Sequence, residues 1–341
     1  MKVSKKGFTH IQLGHGSGGL MTRELLDEII FKTFSNPYLD QKHDGAILKV
    51  ESPMAISTDS FVVSPIFFKG GNIGELAVNG TVNDVAMCGA IPQFLTLSFI
   101  VEEGLPMEQF QAIVTTIKET ADACKVQVVT GDTKVVERGK GDQIFINTTG
   151  VGGVHPKAHI SAEAIRPGDK IIVSGFLAQH GMAIMSEREG LEFESTIESD
   201  TTHLHFLVKD LLDTFGEKIH LFRDPTRGGL ASVLSEIATD IHKGIVLEEK
   251  SLPIEKQVAA ACEILGLDPL YVANEGVMVV IVDAEIQEEV LALMRKDPKG
   301  INAAMVGTFT SEHPAKVVMH SIIGGKRIVS PLLGEQLPRI C

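Results

Sequence analysis

Apolar and polar positions alternate along the 341-residue chain in two different patterns. Short runs rich in valine, isoleucine and phenylalanine are typical of strands, and apolar residues at three- and four-residue spacing are typical of helices. In the first half these patterns predict helices at 20–34, 72–88 and 107–124, and strands at 9–13, 46–50, 54–58, 93–100, 126–130 and 144–154. In the second of these helices the apolar stripe includes Cys124, which is therefore predicted to be a core residue.

The second half repeats this alternation after a linker at 158–168. It predicts strands at 170–174, 245–247, 277–282 and 304–309, and helices at 182–188, 204–215, 228–241 and 255–265. Two α/β (α+β) domains are therefore expected, as is usual for a chain of this length. The predicted division is an N-terminal glycine-rich segment 1–42, a first domain 43–157, a second domain 158–312, and terminal strands with a flexible tail 313–341.

The overall charge and the cysteine pattern narrow the class of protein. A net charge of −13 argues against nucleic acid as the main partner, because duplex binding depends on clustered lysine and arginine. The chain has no long apolar run of the kind that spans a membrane and no secretion signal, and its four cysteines lack metal-ligand spacing. A cytoplasmic protein with reduced thiols is expected.

The glycine-rich stretch 14–19 matches the pattern G-x-G-x-x-G between a predicted strand and a helix. A dinucleotide fingerprint also requires a second strand that ends in an acidic residue about 20 positions later. The segment 35–40, which contains Pro37, does not form such a strand, and the fingerprint is rejected. A loop that binds phosphate through the backbone amides of Gly16, Ser17 and Gly18 remains a hypothesis, beside the alternative of a flexible linker.

The predicted helix 72–88 contains six successive poor helix formers, from Asn79 to Asp84. Residues that disfavour the element in which they lie are typical of functional sites. The alternative is a bent or frayed helix with its polar residues in solvent.

Several aspartates stand at the ends of predicted elements beside small residues: Asp44, Asp59, Asp132 and Asp224. Each alone is usually a turn or capping residue. Together with Asp84 they indicate a carboxylate cleft that binds Mg²⁺ and a polyphosphate. Since the chain contains no G-x-x-x-x-G-K-[ST] motif, a P-loop is excluded.

The chain ends at Cys341, after a segment with two prolines and a glycine that lacks any helix or strand period. This segment is predicted to be an arm that could carry a thiol roughly 35 Å, and to alternate between outward and inward positions. An ordinary thiol pKa near 8.5 is expected for Cys341. The alternative is a disordered tail whose last residue happens to be cysteine.

The motifs 14–19, 57–60, 83–87, 131–134, 223–229 and 274–276 together resemble the ATP-using superfamily of aminoimidazole ribonucleotide synthetase. Selenophosphate synthetase and thiamine-monophosphate kinase belong to the same superfamily. With its last four residues, Pro-Arg-Ile-Cys, the chain is most similar to the carbamoyl dehydratases of [NiFe]-hydrogenase maturation. Selenophosphate synthetases are less similar, because they carry cysteine or selenocysteine in the glycine-rich region, where this chain has Ser17.

This resemblance implies a homodimer formed through the first domain, with ATP and Mg²⁺ as cofactors. It implies ATP-dependent dehydration of an S-carbamoyl group on Cys341 to a thiocyanate, the source of cyanide for hydrogenase iron. The implied partners are the carbamoyltransferase HypF and the HypC–HypD iron scaffold. Two alternatives remain open, another ATP-dependent enzyme of the superfamily in which Cys341 is idle, and a scaffold without catalysis.

Roles for particular residues also follow from the resemblance alone. The implied catalytic residues are Cys341, Lys134 as a charge stabiliser and Glu275 as a base. The implied metal ligands are Asp44, Asp59, Asp84 and Asp224. The implied nucleotide-binding residues are Gly16, Ser17, Gly18, Asp59, Asn83, Asp84, Asp132 and Thr133. Lys134 as a surface lysine, and Glu275 as a turn residue, remain alternatives.

Overall fold

The computed structural model describes residues 9–16, 20–41, 49, 53–190, 197–331 and 340–341. The α-helices within these ranges are α1 Leu20–Leu25, α2 Lys32–Phe34, α3 Ile73–Met87, α4 Met107–Cys124, α5 Gln179–Glu189, α6 His205–Phe215, α7 Gly229–Asp240, α8 Lys256–Leu265 and α9 Gln287–Met294. The strands are β1 Met54–Phe61, β2 Phe67–Phe68, β3 Gly71–Asn72, β4 Ala90–Glu102, β5 Gln127–Val136, β6 Ile144–Val154, β7 Lys170–Val173, β8 Ile219–Arg223, β9 Gly244–Glu248, β10 Val279–Val282, β11 Ala304–Thr310, β12 Val317–His320 and β13 Lys326–Val329. None of the helices described is long and apolar enough to cross a membrane.

The first domain is built on a four-stranded sheet with the order β1-β6-β4-β5. Strands β4 and β5 are parallel because α4 connects them, and the other pairs are antiparallel. Helices α3 and α4 pack their apolar residues on one face of this sheet, which we call the inner face. The buried Phe99 and Phe110 meet there edge to face, with ring centroids 5.4 Å apart. This contact packs α4 against β4, and α3 lies beside α4 on the same face.

The second domain is built on a seven-stranded sheet with the order β13-β12-β9-β11-β7-β10-β8. Alternate residues of its central strands enter two separate cores, as the two-residue period of a strand requires. One core lies against α7, and the other lies against α6 and α9. Because both faces are covered, central strands such as β10 are apolar along their whole length.

Most predicted segments match the structure, including short ones such as 170–174 and 245–247, which correspond to β7 and β9. The helices predicted at 72–88 and 107–124 are confirmed as α3 and α4, and Cys124 is buried. The strand predicted at 9–13 is wrong, since this segment forms one bridge, His10 to Pro106, and then a short 3₁₀ helix. The strand predicted at 46–50 lies mostly outside the described residues. Strand β8 and helix α9 were not predicted.

The polar residues of α3 attach the two domains to each other. The Asn83 side chain is 2% exposed. Its Nδ2 donates to the carbonyls of Thr202 at 2.9 Å and Glu275 at 3.3 Å, and its Oδ1 accepts from the Leu204 amide at 2.8 Å. One turn earlier, Asn79 Nδ2 donates to Thr201 Oγ1 at 3.4 Å. The poor helix formers are part of a regular and mostly buried helix, and the alternative of a frayed helix with its polar residues in solvent is wrong.

We predict that Asn83→Ala lowers the free energy of unfolding by about 2–4 kcal/mol, because two buried backbone groups and one half-buried carbonyl lose the hydrogen bonds that Asn83 makes. Urea denaturation measures this change. Asn147→Ala is the matched control, since that amide lies half-buried on β6 and donates to Asp59 O and Ser60 Oγ. Equal losses in the two variants would contradict the docking role of Asn83.

Candidate active site

The loop before β10 carries Glu275 to the junction of the two domains. Its neighbour Asn274 fixes the loop, because Oδ1 accepts from Ala178 N at 2.7 Å and Nδ2 donates to Pro225 O at 2.8 Å. On the other side of Glu275, a Cβ at Gly276 would lie 1.7 Å from the main-chain oxygen of Asp200. Only glycine fits at this approach. The motif 274–276 is thus a rigid support for one carboxyl group.

Asp200 holds the same loop through its carboxylate. Its two oxygens accept from the backbone amides of Glu275 and Gly276, both at 3.1 Å. Burial raises the pKa of Asp200 to about 6 although these amides oppose the shift. The conformation of the Glu275 loop is therefore set by a segment 75 residues earlier in the sequence.

The Glu275 carboxyl group is buried, and its Oε1 has no hydrogen-bond partner in the part of the chain described. A Cβ at Gly80 of α3 would lie 3.0 Å from the Phe61 ring and 3.8 Å from Glu275 Oε2, so glycine lets the helix approach the site. Burial raises the pKa of Glu275 well above its ordinary value, and the nearby aspartates add to this shift. Such a carboxyl group is a strong base once it loses its proton.

The last two residues of the chain lie in this site. Ile340 is 4% exposed and belongs to the core of the first domain, and Val62 N donates to the main-chain oxygen of Cys341 at 3.2 Å. The Cys341 thiol lies close enough to the Glu275 carboxyl group for that group to affect its pKa. Burial, and then Glu275, raise the pKa of Cys341. The expectation of an ordinary thiol pKa is thus wrong for this inward position.

Three aspartates influence each other beside Glu275. Burial first, and then repulsion from Asp224, raise the pKa of Asp84 to about 7, while a hydrogen bond from Ser57 Oγ at 2.7 Å opposes the shift. The pKa of Asp224 is also raised, mainly by burial. On the solvent side, Arg227 Nη2 lies 3.4 Å from Asp59 Oδ1. The structure therefore brings Asp59, Asp84 and Asp224 into one electrostatic cluster.

Most of the other residues predicted to bind metal or phosphate near the N-terminus are not among the described residues. Asp44, Ser17 and Gly18 lie outside the described residues, and Gly16 ends a short 3₁₀ helix. Over the described ranges, no group of three or more His, Cys, Asp or Glu side chains is arranged to hold a metal ion.

Lys134 and Asp132 lie on the outer face of the first sheet. Lys134 pairs in register with Ile100, which is 44% exposed between the buried Phe99 and Val101. Its Nζ lies 3.3 Å from Asp132 Oδ2. Since α3 covers the opposite face, Lys134 and Glu275 of one chain face away from each other. Thr133, between these two residues, points inward and is buried.

Three residues at the site had no predicted role: His180, Asp200 and Arg227. The His180 side chain is fully buried, its Nε2 lies 2.8 Å from Ile340 O, and its Nδ1 lies 2.7 Å from Ser199 Oγ. Nothing in their local sequence marks His180 or Asp200, because their partners are distant along the chain. Arg227 lies within the motif 223–229, but the sequence gives no reason to choose it.

The chain is similar to known proteins over nearly its whole length. The AIR synthase related protein family matches in two parts, its N-terminal domain at 42–154 and its C-terminal domain at 166–320. The carbamoyl dehydratase HypE of Azotobacter vinelandii is 48% identical over 332 residues, which cover 97% of each chain. The chain belongs to the HypE family.

Solved HypE structures have the same fold. The crystal structure of the hydrogenase maturation protein HypE in complex with ATP aligns with a TM-score of 0.93 and 44% identity, over 96% of this chain and 99% of that one. HypE in the crystal structure of the HypE–HypF complex aligns with a TM-score of 0.80 and 44% identity, over 90% and 99%. The two-domain fold implied by the resemblance is therefore confirmed.

We predict that Asp84→Asn stabilises the ligand-free protein at pH 8. Because the folded-state pKa of Asp84 is raised to about 7, the folded protein holds a proton that the unfolded chain releases above about pH 4. Stability is therefore lost as pH rises through this interval, and an amide removes the loss. The expected gain in free energy of unfolding is about 1–3 kcal/mol at pH 8 and decreases towards pH 5.

Urea denaturation at both pH values measures this gain. Asp213→Asn is the control, because the pKa of that exposed carboxylate is lowered by Lys209, and its substitution should not stabilise the protein. A variant at position 84 whose stability relative to the parent is independent of pH would refute the raised pKa.

Proposed function

We propose that this chain is an ATP-dependent carbamoyl dehydratase that converts an S-carbamoyl group on Cys341 into a thiocyanate. The observation that carries the proposal is the Cys341 thiol beside the buried Glu275 carboxyl group. A terminal arm that only presented its thiol to partners would have no reason to bury it against a base. The family relationship supports the same reaction, since the relatives are named carbamoyl dehydratases.

The reaction removes one water molecule from Cys–S–C(=O)–NH₂ and leaves Cys–S–C≡N. ATP supplies a phosphoryl group to the amide oxygen, so that phosphate rather than hydroxide is the leaving group. One nitrogen proton is lost as the amide oxygen is phosphorylated, and the second is lost as the C–O bond breaks and phosphate leaves. A base close to Cys341 is therefore required. A positioned carboxylate can raise the rate of a step that needs proton transfer by about 10²–10⁴-fold.

Glu275 is the base in this proposal. Its loop is fixed by Asp200 and Asn83, so its carboxyl group has a defined position beside the tail. Its raised pKa favours uptake of a proton from the carbamoyl nitrogen. The burial of Ile340 holds the residue before Cys341 in the core of the first domain. Glu275 thus both holds the tail end and accepts a proton from it.

Asp84 and Asp224 are the groups that would hold Mg²⁺ with the ATP phosphates. Burial is the main cause of their raised pKa values and a neighbouring aspartate adds to each shift, so a divalent cation would supply a counter-charge that favours the ionised carboxylates. Mg²⁺ commonly uses one or two protein carboxylates and completes its shell with phosphate oxygens and water. Two aspartates on two different domains fit that requirement.

The proposed partners follow from the chemistry of the tail. A carbamoyltransferase such as HypF loads Cys341 while the tail is outside, and the HypC–HypD scaffold accepts the cyanide. The described chain holds its four cysteines as free thiols, which suits a reducing compartment such as the cytoplasm.

A homodimer explains the position of Lys134. The outer face of the first sheet exposes Met54, Ile56 and Ile100, with exposed fractions of 61%, 67% and 44%. Exposed apolar patches are typical of interfaces. If two copies pack through this face, Lys134 of one copy can approach the site of the other, whereas it cannot reach its own Glu275. Each active site is then shared between two chains.

We predict that Glu275→Gln and Lys134→Ala both let carbamoyl accumulate on Cys341, with thiocyanate formation reduced at least about a hundredfold. Loading should continue, because it is the partner's chemistry. Mass spectrometry of the C-terminal peptide, after incubation with carbamoyltransferase, carbamoyl phosphate and ATP, separates the two steps. Equal loss of loading and dehydration would point to a damaged fold.

Mixed dimers test whether Lys134 acts in the second copy. Co-expressed Glu275→Gln and Lys134→Ala chains should recover about a quarter of the parental sites, because half of the dimers are mixed and each holds one intact site. A mixture of Glu275→Gln with Glu275→Ala is the matched control and should recover none. If the first mixture recovers no dehydration activity, the proposal of a site shared between two chains is wrong.

We further predict that Cys341→Ala binds ATP nearly as the parent does and accepts no carbamoyl group. ATP binding is followed by calorimetry, and loading by intact mass. Cys88→Ala is the control, because Cys88 is exposed and lies outside the tail. Carbamoyl transfer to the Cys341→Ala chain would rule out the carrier role. Full dehydratase activity on a free small-molecule substrate would favour the alternative enzyme of the superfamily.

A further inference from the structure

His180 is a fully buried histidine that the proposed chemistry does not use. It lies at the start of α5 in the second domain, and its ring packs edge to face on Phe68, with centroids 5.6 Å apart. Nε2 lies 2.8 Å from the carbonyl oxygen of Ile340, the residue before Cys341. It therefore forms a polar contact between the body of the protein and the tail end.

The hydrogen-bond partners determine which ring nitrogen carries the proton. The Ile340 carbonyl can only accept, so Nε2 must be the donor. On the other side, Ser199 Oγ lies 2.7 Å from Nδ1 and already accepts from the Thr201 amide at 3.1 Å. The Ser199 hydroxyl hydrogen is therefore free to be donated to Nδ1. This arrangement matches a neutral histidine with its proton on Nε2.

Burial supports the neutral form, because it lowers the pKa of His180 to about 4. The ring is thus a fixed donor over the whole neutral range. Two further contacts hold the tail on either side of it: the Ile340 side chain in the core of the first domain, and Val62 N on the main-chain oxygen of Cys341. Both are made by the first domain, whereas His180 belongs to the second.

We propose that His180 is a positioning residue that holds the Ile340 carbonyl through Nε2–H, and so keeps the Cys341 sulfur at Glu275. Ser199 fixes the ring in the tautomer that donates. The donor belongs to the second domain, and the pocket around Ile340 belongs to the first. The tail end therefore makes all of these contacts only while the two domains stay docked. The structural role of His180 stands by itself, whereas its effect on the dehydration step rests on the proposed function.

The first test measures access to Cys341 and needs no substrate. Timed alkylation of the full chain with iodoacetamide, followed by peptide mass mapping, gives the rate at Cys341, with exposed Cys88 as an internal reference. Two substitutions separate the contacts: His180→Gln places an amide N–H near the Nε2 position, and His180→Asn reaches only the Nδ1 position. We expect His180→Asn to speed alkylation about fivefold, the factor of one ordinary hydrogen bond, and His180→Gln to stay near the parent.

Ser199→Ala should shift the alkylation rate in the same direction as His180→Asn, but less. The matched control is His220→Gln, which alters a buried histidine that contacts Asp169 rather than the tail. Melting temperatures report any general loss of structure. Equal alkylation rates for the Gln and Asn variants at position 180 would overturn the proposal, as would an equal increase in His220→Gln.

The second test follows dehydration of the carbamoylated chain. His180→Asn should slow thiocyanate formation about fivefold and leave carbamoyl loading unchanged or faster, and His180→Gln should restore the parental rate. If the parent forms no thiocyanate, the proposed function fails while the alkylation result still decides the role of His180. If alkylation responds to His180→Asn but dehydration does not, the positioning role in catalysis is refuted.

Discussion

A carboxyl group removed from water is stable only if it keeps its proton or acquires a counter-charge, and Glu275 is enclosed at the junction of two domains. Its backbone is fixed by Asp200 and Asn83. These hydrogen bonds therefore hold in place a group that would otherwise move towards solvent. The same bonds connect the Glu275 loop to α3 and to the segment before α6. The contacts that dock the two domains therefore also set the geometry of the site.

Helix α3 contains residues that disfavour a helix, and contacts with its surroundings compensate for them. Asn79 and Asn83 face the second domain, Gly80 lets Phe61 and Glu275 approach, and Asp84 contributes to the carboxylate cluster. Each of these residues weakens the isolated helix, by up to about 1 kcal/mol for glycine. The tertiary contacts outweigh that cost, which is why the helix remains regular.

In the proposed function, the position of the tail divides the chemistry between two locations. Inside the site the Cys341 thiol has a raised pKa and is a poor nucleophile, which suits a sulfur that must already carry its cargo when it enters. Outside, the same thiol would have an ordinary pKa and be free to react with a loading partner. In the proposed function, burial would separate loading from dehydration without any change in the tail sequence.

The sequence by itself determined the α/β alternation, the helices α3 and α4, the core position of Cys124 and the motifs that carry the family resemblance. These features depend on local periodicity and on residue types within a few positions of each other. It also pointed to Glu275 and to the aspartates, but only as members of motifs.

Only the tertiary structure decided which of these residues meet. It placed Glu275 beside Cys341, it put Lys134 on the opposite face of the sheet, and it selected His180 as the donor to the tail. His180 and Ile340 are 160 positions apart, and Asn83 and Glu275 are 192 apart. The pKa changes at the site depend on the same encounters, because burial and neighbouring charge arise only when distant segments pack together.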